Sequence, residues 1–149
     1  MSLETYGELQ TTLKNFLDRD DMGPFLPTFI RLAESRFNRQ LRLRSMERME
    51  KTNTVGGQSN YALPNDFLQG REFRLNTNPS KSLQYITPEI YESWNLGAGF
   101  PKFYTIVADQ LKLGPVPDGE TEMEMLFYGR VPSLGTTRPT NWILLNAPD

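Results

Sequence analysis

The apolar positions up to about residue 45 recur every three or four residues, which is the spacing of helices with one buried face. Thr5 and Glu8 have the spacing of a capping box, so the first helix is expected to begin there. Asp20 to Pro24 is expected to end it, and a longer helix is predicted from about Pro24 to Arg44. The two apolar stripes are Tyr6, Leu9, Leu13, Phe16 and Leu17, then Leu26, Ile30, Ala33, Phe37 and Leu41. This pattern predicts an N-terminal helical hairpin or bundle.

From Met46 onward the pattern changes to short runs with period two, which is typical of strands. Strands are predicted at Met46 to Val55, Arg71 to Leu75, Leu83 to Ile86 and Glu122 to Tyr128, the last with Met123, Met125 and Phe127 on one face. A compact helix is predicted from Thr87 to about Trp94 or Asn95, because Thr87 is a typical helix cap and Pro88 suits the first helical position.

The stretch Gly97 to Pro117 predicts a β-hairpin bounded by glycines and prolines, with no catalytic group in it. Thr136 to Asp149 is read as irregular, and the apolar run before Pro148-Asp149 is typical of a lead into another helix. The fold class is therefore predicted as α+β: a helical part (about 1–45) packed with a small, mostly antiparallel β-sheet region (about 46–149) that carries the extended hairpin. We expect one domain over 1–149, followed by a C-terminal helix that is missing from this chain.

The composition agrees with a soluble globular domain of 149 residues, 38% hydrophobic and 23% charged. No apolar run approaches the roughly 18 residues of a membrane-spanning helix. The N-terminus has neither the basic flank nor the apolar block of a signal peptide, so we expect synthesis in the cytoplasm and no membrane contact.

Cysteine and histidine are both absent from the chain. Their absence excludes disulfides, thiolate or imidazole metal ligands, and the Ser-His-Asp triad. Glu120, Glu122 and Glu124 alternate along one strand, and paired carboxylates can hydrolyse glycosides. Their spacing is more typical of a solvated face that protects a sheet edge. We therefore expect no enzyme, cofactor, metal or catalytic residue.

Charge is separated along the chain. Residues 31–51 carry seven basic and three acidic side chains, whereas residues 1–24 carry five acidic and two basic ones. Arginine suits a surface for phosphates or an acidic partner, although a solvated helix face is the alternative. Asp18, Asp20 and Asp21 lack the spacing of a calcium loop and are read as a helix-ending loop. The candidate partner-binding residues are Arg31, Arg36, Arg39 and Arg42, together with Phe100, Phe103, Tyr104 and Trp142. Most of these aromatic residues are expected to lie in the core, although interface anchors are rich in tryptophan and tyrosine.

An ordered series of short motifs follows the two N-terminal helices: Leu63-Pro64-Asn65-Asp66-Phe67, Thr87-Pro88-Glu89, Gly99 to Tyr104, Phe127-Tyr128, and Asn141-Trp142-Ile143-Leu144 before Ala147-Pro148-Asp149. In this order they resemble the head-to-tail adaptor proteins of tailed bacteriophages. Each motif alone is weak, so the series carries the resemblance, which covers nearly the whole chain.

The resemblance implies a structural virion protein without catalytic activity. Its copies would form a ring, commonly a dodecamer, beneath the portal, where it extends the DNA channel and presents a docking platform for a tail, nozzle or tail-tube protein. It implies a location at the head–tail interface, host cytoplasm during assembly, and non-specific contact with translocating DNA. Members usually continue with a further amphipathic helix.

The residues are compatible with this role, because a ring subunit presents two unlike faces and the separated charges supply complementary sides. Two alternatives remain open from the sequence. One is a nucleic-acid-binding assembly or regulatory domain that uses the Arg31 to Arg48 segment, with DNA affinity that falls steeply with salt. The other is a carboxylate hydrolase whose activity disappears when Glu122 or Glu124 becomes Gln.

Overall fold

In the computed structural model, which describes residues 3–146, the chain folds into two compact units. The terminal unit joins the two ends of the described chain, up to Met46 and from Arg130 onward. The central unit is the continuous stretch Glu47–Gly129. The prediction of a single domain over 1–149 stays a prediction.

The helices are α1 (Tyr6–Leu17), α2 (Leu26–Gln40), α3 (Pro88–Trp94) and α4 (Trp142–Asn146), with 3-10 segments at Asp20–Phe25 and Arg44–Met46. The strands are β1 (Glu47–Asn53), β2 (Asn60–Ala62), β3 (Phe67–Leu75), β4 (Lys81–Ser82), β5 (Gln84–Tyr85), β6 (Ala98–Gly99), β7 (Phe103–Val107), β8 (Gln110–Gly114), β9 (Val116–Pro117) and β10 (Glu122–Gly129). The α+β prediction is confirmed.

The capping box predicted at the start of α1 is present. The backbone N–H of Glu8 donates to Oγ1 of Thr5 at 3.3 Å, and the N–H of Thr5 donates back to Oε2 of Glu8 at 3.0 Å. These two bonds satisfy donors that the first helical turn leaves without an intrahelical partner.

The second helix is shorter than predicted. It starts at Leu26, after the 3-10 segment, and it ends at Gln40 rather than Arg44 because Leu41 is already extended. The guanidinium of Arg42 donates to the backbone carbonyls of Asn38 and Leu41 at 2.9 and 2.6 Å, which satisfies oxygens at the helix end.

The central unit is built on two four-stranded sheets, in the orders β1-β10-β3-β4 and β2-β8-β7-β5. One hydrophobic cluster draws on both: Tyr61, Phe73, Leu75, Leu83, Leu111, Leu113, Met123, Met125 and Phe127. The predicted apolar face of β10 is therefore confirmed. The expectation that β10 protects a sheet edge is wrong, because β10 lies between β1 and β3.

The strand predicted from Leu83 to Ile86 is divided. β4 pairs with β3 in one sheet, whereas β5 pairs in parallel with β7 in the other. The buried Leu83 stands between them, so the chain changes sheets at this residue. β3 is also longer than predicted and begins at Phe67.

The predicted hairpin consists of β7 and β8, which pair in antiparallel from Phe103↔Gly114 to Val107↔Gln110. Its turn places Ala108 at φ 54°, in the left-handed region that few residues other than glycine adopt. The short strands β6 and β9 flank the hairpin as a parallel pair.

The segment read as irregular contains α4. The side chain of Asn141 accepts hydrogen bonds from the backbone N–H groups of Ile143 and Leu144, both at 3.1 Å, and so begins this helix. Ala147-Pro148-Asp149 and the helix expected beyond them lie outside the described residues. Within residues 3–146 no helix is both long and apolar enough to cross a bilayer.

Candidate interaction surfaces

The segment from Arg130 to Asn141 is held in the terminal unit by buried or half-buried polar side chains of α2. The backbone N–H of Val131 donates to Oδ1 of Asn38 at 2.8 Å. The backbone N–H of Leu134 donates to Oε1 of Glu34 at 2.7 Å. Glu34 belongs to the buried face of α2, which the apolar stripe alone did not predict.

An apolar groove of about 340 Å³ opens between α1, α2, α4 and the segment from Arg130 to Asn141, which we call the returning segment. Its walls are Leu9, Leu13, Phe29, Ile30, Ala33, Glu34, Phe37, Leu134, Asn141, Ile143 and Leu144. The two polar side chains in this wall already accept backbone hydrogen bonds. The groove therefore presents hydrocarbon to whatever fills it.

Large apolar side chains continue from the groove onto the exposed surface. Phe29 lines the groove and is still 48% exposed, and Phe25 and Leu32 share its side of the helix at spacings of four and three residues. On α1, Phe16 follows Leu13 by three residues and is 85% exposed. The α1 stripe therefore leaves Phe16 and Leu17 exposed at its end. Exposed apolar patches of this kind mark interaction surfaces.

The predicted arginines are all exposed, on α2 or just after it. Among the described residues, no carboxylate lies within ion-pair distance of Arg31, Arg36 or Arg39. Arg36 instead donates from Nε to Oε1 of Gln40 at 3.1 Å. These charges are therefore available to a partner.

A polar cleft of about 350 Å³ adjoins the other side of α2 and contains two arginines, Arg31 and Arg130. The remaining walls are Glu34, Ser35, Asn38, Val131 and Ser133. Arg36, Arg39 and Arg42 are not part of this cleft, so the structure does not bring the four predicted arginines together at it.

The end of α1 carries a cluster of acidic groups close in sequence to the exposed Phe16. Asp18 closes the helix in the left-handed conformation, at φ 49°, which agrees with the predicted helix-ending loop. Asp21 pairs with Arg19 at 2.5 Å, and this hydrogen bond lowers the pKa of the Asp21 carboxyl. Asp18 and Asp20 have no ion-pair partner in the described part of the chain.

The four aromatic residues predicted as candidate partner-binding residues are all half-buried. Tyr104 packs its ring 4.6 Å from that of Phe73, and burial raises the pKa of its hydroxyl. Phe103 meets Trp94 edge-on. Phe100 packs against the core, and Trp142 is also half-buried. Their partner-binding role stays a prediction.

The carboxylates of β10 belong to a cross-strand charge cluster of the central unit. Lys51 lies 3.2 Å from Glu122 and 3.6 Å from Glu124, and Arg74 pairs with Glu124 from β3. Burial tends to raise the pKa of Glu124, but hydrogen bonds from Asn76 and Arg74 and the nearby positive charges hold it below its ordinary value. Glu124 is buried, so the predicted solvated face is wrong at this position.

The exposed residues Phe25, Phe29 and Leu32 were missed as candidates. A signal for them exists in the sequence, since they stand beside the stripe of Leu26, Ile30 and Phe37 and widen the apolar arc of α2 beyond one buried face.

Comparison with known families gives a match over nearly the whole chain. The family model described as SU10 adaptor protein matches residues 4–149. No curated protein matches the chain.

Proposed function

The chain belongs to the SU10 adaptor protein family, a family of phage head–tail adaptors, and from this premise we propose that its copies form a ring beneath the portal. A structural role at the head–tail interface of the virion follows from the family. The ring, its dodecameric size, the extended DNA channel and the docking platform for tail components are the proposal. No enzymatic activity belongs to this role.

The observation that carries the proposal is the surface of the terminal unit, which leaves large apolar side chains and arginines exposed. It combines an open apolar groove, exposed phenylalanine and leucine side chains, and three arginines, Arg31, Arg36 and Arg39, that have no carboxylate partner among the described residues. A subunit that must bury faces against neighbours would carry such a surface, because association removes apolar area from water and pairs opposite charges.

The proposed partners are other copies of the chain, the portal protein, and a downstream tail, nozzle or tail-tube protein. Assembly would begin in the host cytoplasm. The proposed partner-binding side chains of the terminal unit are Arg31, Arg36, Arg39, Arg42 and Trp142. Those of the central unit are Phe100, Phe103 and Tyr104.

Electron microscopy of purified portal rings mixed with the chain tests this function. We expect a ring of added density at the tail-facing end of the portal, with several copies of the chain in it. A chain that stays monomeric and leaves the portal unchanged contradicts the proposal. Portal rings incubated with an unrelated protein of similar size and charge are the control.

A nucleic-acid-binding role remains the second candidate, because Arg31, Arg36 and Arg39 have no described carboxylate partner. Each arginine that neutralises a phosphate contributes about 0.9 to the slope of log affinity against log salt. Replacement of these three by glutamine would therefore make the slope of log affinity against log salt shallower by about 2.7 if all three bind DNA. Absence of binding at low salt removes this role.

A further inference from the structure

We propose that the acidic, aromatic end of α1 in one copy, formed by Phe16, Leu17, Asp18 and Asp20, binds in the apolar groove of the neighbouring copy beside Arg36 and Arg39. This inference rests on the proposed ring, and it names the surfaces that join its subunits.

The apolar part of the contact follows from two features of the terminal unit: the exposed side chain of Phe16 and the open apolar groove. Phe16 is 85% exposed, although it continues the stripe of Leu9 and Leu13 that lines the groove. The groove of about 340 Å³ is open, and its walls are almost entirely hydrocarbon. Insertion of an aromatic side chain and its neighbour Leu17 would remove both surfaces from water.

The charged part of the contact follows from the positions of Asp18 and Asp20 in one copy and of Arg36 and Arg39 in its neighbour. Asp18 and Asp20 come directly after Phe16 in the chain. Arg36 follows the groove residue Ala33 by three residues and therefore borders the groove, and Arg39 follows Arg36 by three, one step farther from the groove on the exposed side of α2. A phenylalanine bound in the groove would therefore bring two carboxylates towards two guanidinium groups, which orients the approach and excludes the reverse arrangement.

The contact is head-to-tail, since the inserted end and the receiving groove are different patches of one subunit. Contacts of this type produce closed rings when the rotation closes. Both patches belong to the terminal unit, so the contact does not depend on the position of the central unit. DNA would satisfy the arginines but would leave the apolar groove and Phe16 exposed, and a second copy satisfies all of them.

Photo-crosslinking tests the contact directly. Phe16→p-benzoylphenylalanine keeps an aromatic side chain at the tip of α1, and an equal mixture of ¹⁴N and ¹⁵N chains separates crosslinks between copies from those within one copy. We expect light–heavy crosslinks from position 16 to peptides that contain Phe29, Ala33 or Ile143. Tyr85→p-benzoylphenylalanine is the matched control, because Tyr85 is an exposed aromatic residue of the central unit.

A charge exchange tests the second half of the contact. Asp18→Lys with Asp20→Lys should lower the yield of the position-16 crosslink by about tenfold. Mixing these chains with copies that carry Arg36→Asp and Arg39→Asp should restore it. Both sites are exposed, so circular dichroism should show unchanged folding in all variants.

The possible outcomes separate this inference from the ring function. Rings on the portal without crosslinks between position 16 and the groove overturn the contact and leave the function standing. Crosslinks between copies without portal binding support the contact and contradict the function. Crosslinks from position 16 mainly to position 16, to the portal, or equally from position 85 overturn the inference.

Discussion

The carboxylate of Glu34 on α2 accepts the backbone N–H of Leu134 at 2.7 Å, across one hundred positions of sequence. Glu34 is buried, and Leu134 forms part of the groove wall. This single hydrogen bond therefore helps to fix the returning segment against α2 and to define the groove.

We expect Glu34→Ala to destabilise the protein by about 1–3 kcal/mol, because the N–H of Leu134 would lose its acceptor in a half-buried place. Glu34→Gln keeps an amide oxygen there and should cost less. Urea unfolding of both variants measures the difference. Ser35→Ala, on the exposed side of the same helix, is the control. Equal losses for Ala and Gln would contradict the role of the hydrogen bond.

We expect Thr5→Ala to reduce stability by about 1 kcal/mol, because it removes the side-chain oxygen that accepts from Glu8 at the start of α1. Thr5→Ser keeps the hydroxyl group and should therefore retain most of the stability. Helical ellipticity and the urea midpoint report the change. The control is Thr11→Ala in the same helix, where the hydroxyl bonds only to the carbonyl of Gly7 and its loss should be close to neutral.

We expect Gly70→Ala to cost about 1–3 kcal/mol, because a Cβ at this position would lie 2.5 Å from Cε2 of Phe73. The Phe73 ring is fully buried and packed against Tyr104, so it has little freedom to move away. Gly119→Ala is the matched control, since a Cβ there meets nothing within 4 Å. Similar melting temperatures for the two variants would show that the Phe73 ring adapts.

We expect acid to weaken the central unit through Glu122 and Glu124. Hydrogen bonds from Asn76 and Lys51 lower the pKa of Glu122, and the Glu124 pKa is lowered as well. Both folded-state values lie below the unfolded value of about 4.3, so their stabilisation is present above about pH 5 and is lost as pH falls through the folded values.

Urea midpoints between pH 7 and pH 3 measure this dependence. Glu122→Gln should flatten the decline at the acid end, whereas Glu50→Gln, the same change on an exposed β1 side chain, is the control. An identical pH profile for Glu122→Gln and the unaltered protein would contradict the assignment.

Local chemistry made much of the fold predictable. The capping box of Thr5 and Glu8, the β7–β8 hairpin, and the apolar face of Met123, Met125 and Phe127 all depend on residues close in sequence. The start of α4 was missed although Asn141 before an apolar run is a recognisable cap.

Long-range pairing was not predictable from the sequence. The central place of β10 and the burial of Glu124 depend on its pairing with β1 and β3. The groove likewise requires residues 134–144 to return to α2. The candidate arginines are exposed, and the exposed apolar residues beside them, Phe25, Phe29 and Leu32, could have been recognised from the width of the apolar arc of α2.

The insertion of the central unit between the two parts of the terminal unit has a consequence for synthesis on the ribosome. Glu47–Gly129 is continuous, so it can fold as soon as it has left the exit tunnel. The groove needs α1 and α2 from the start of the chain together with residues 134–144 near its end. A nascent chain would therefore complete this groove only after residues 134–144 have been made, and if the groove joins subunits as proposed, unfinished chains would be unable to compete for places in the assembly.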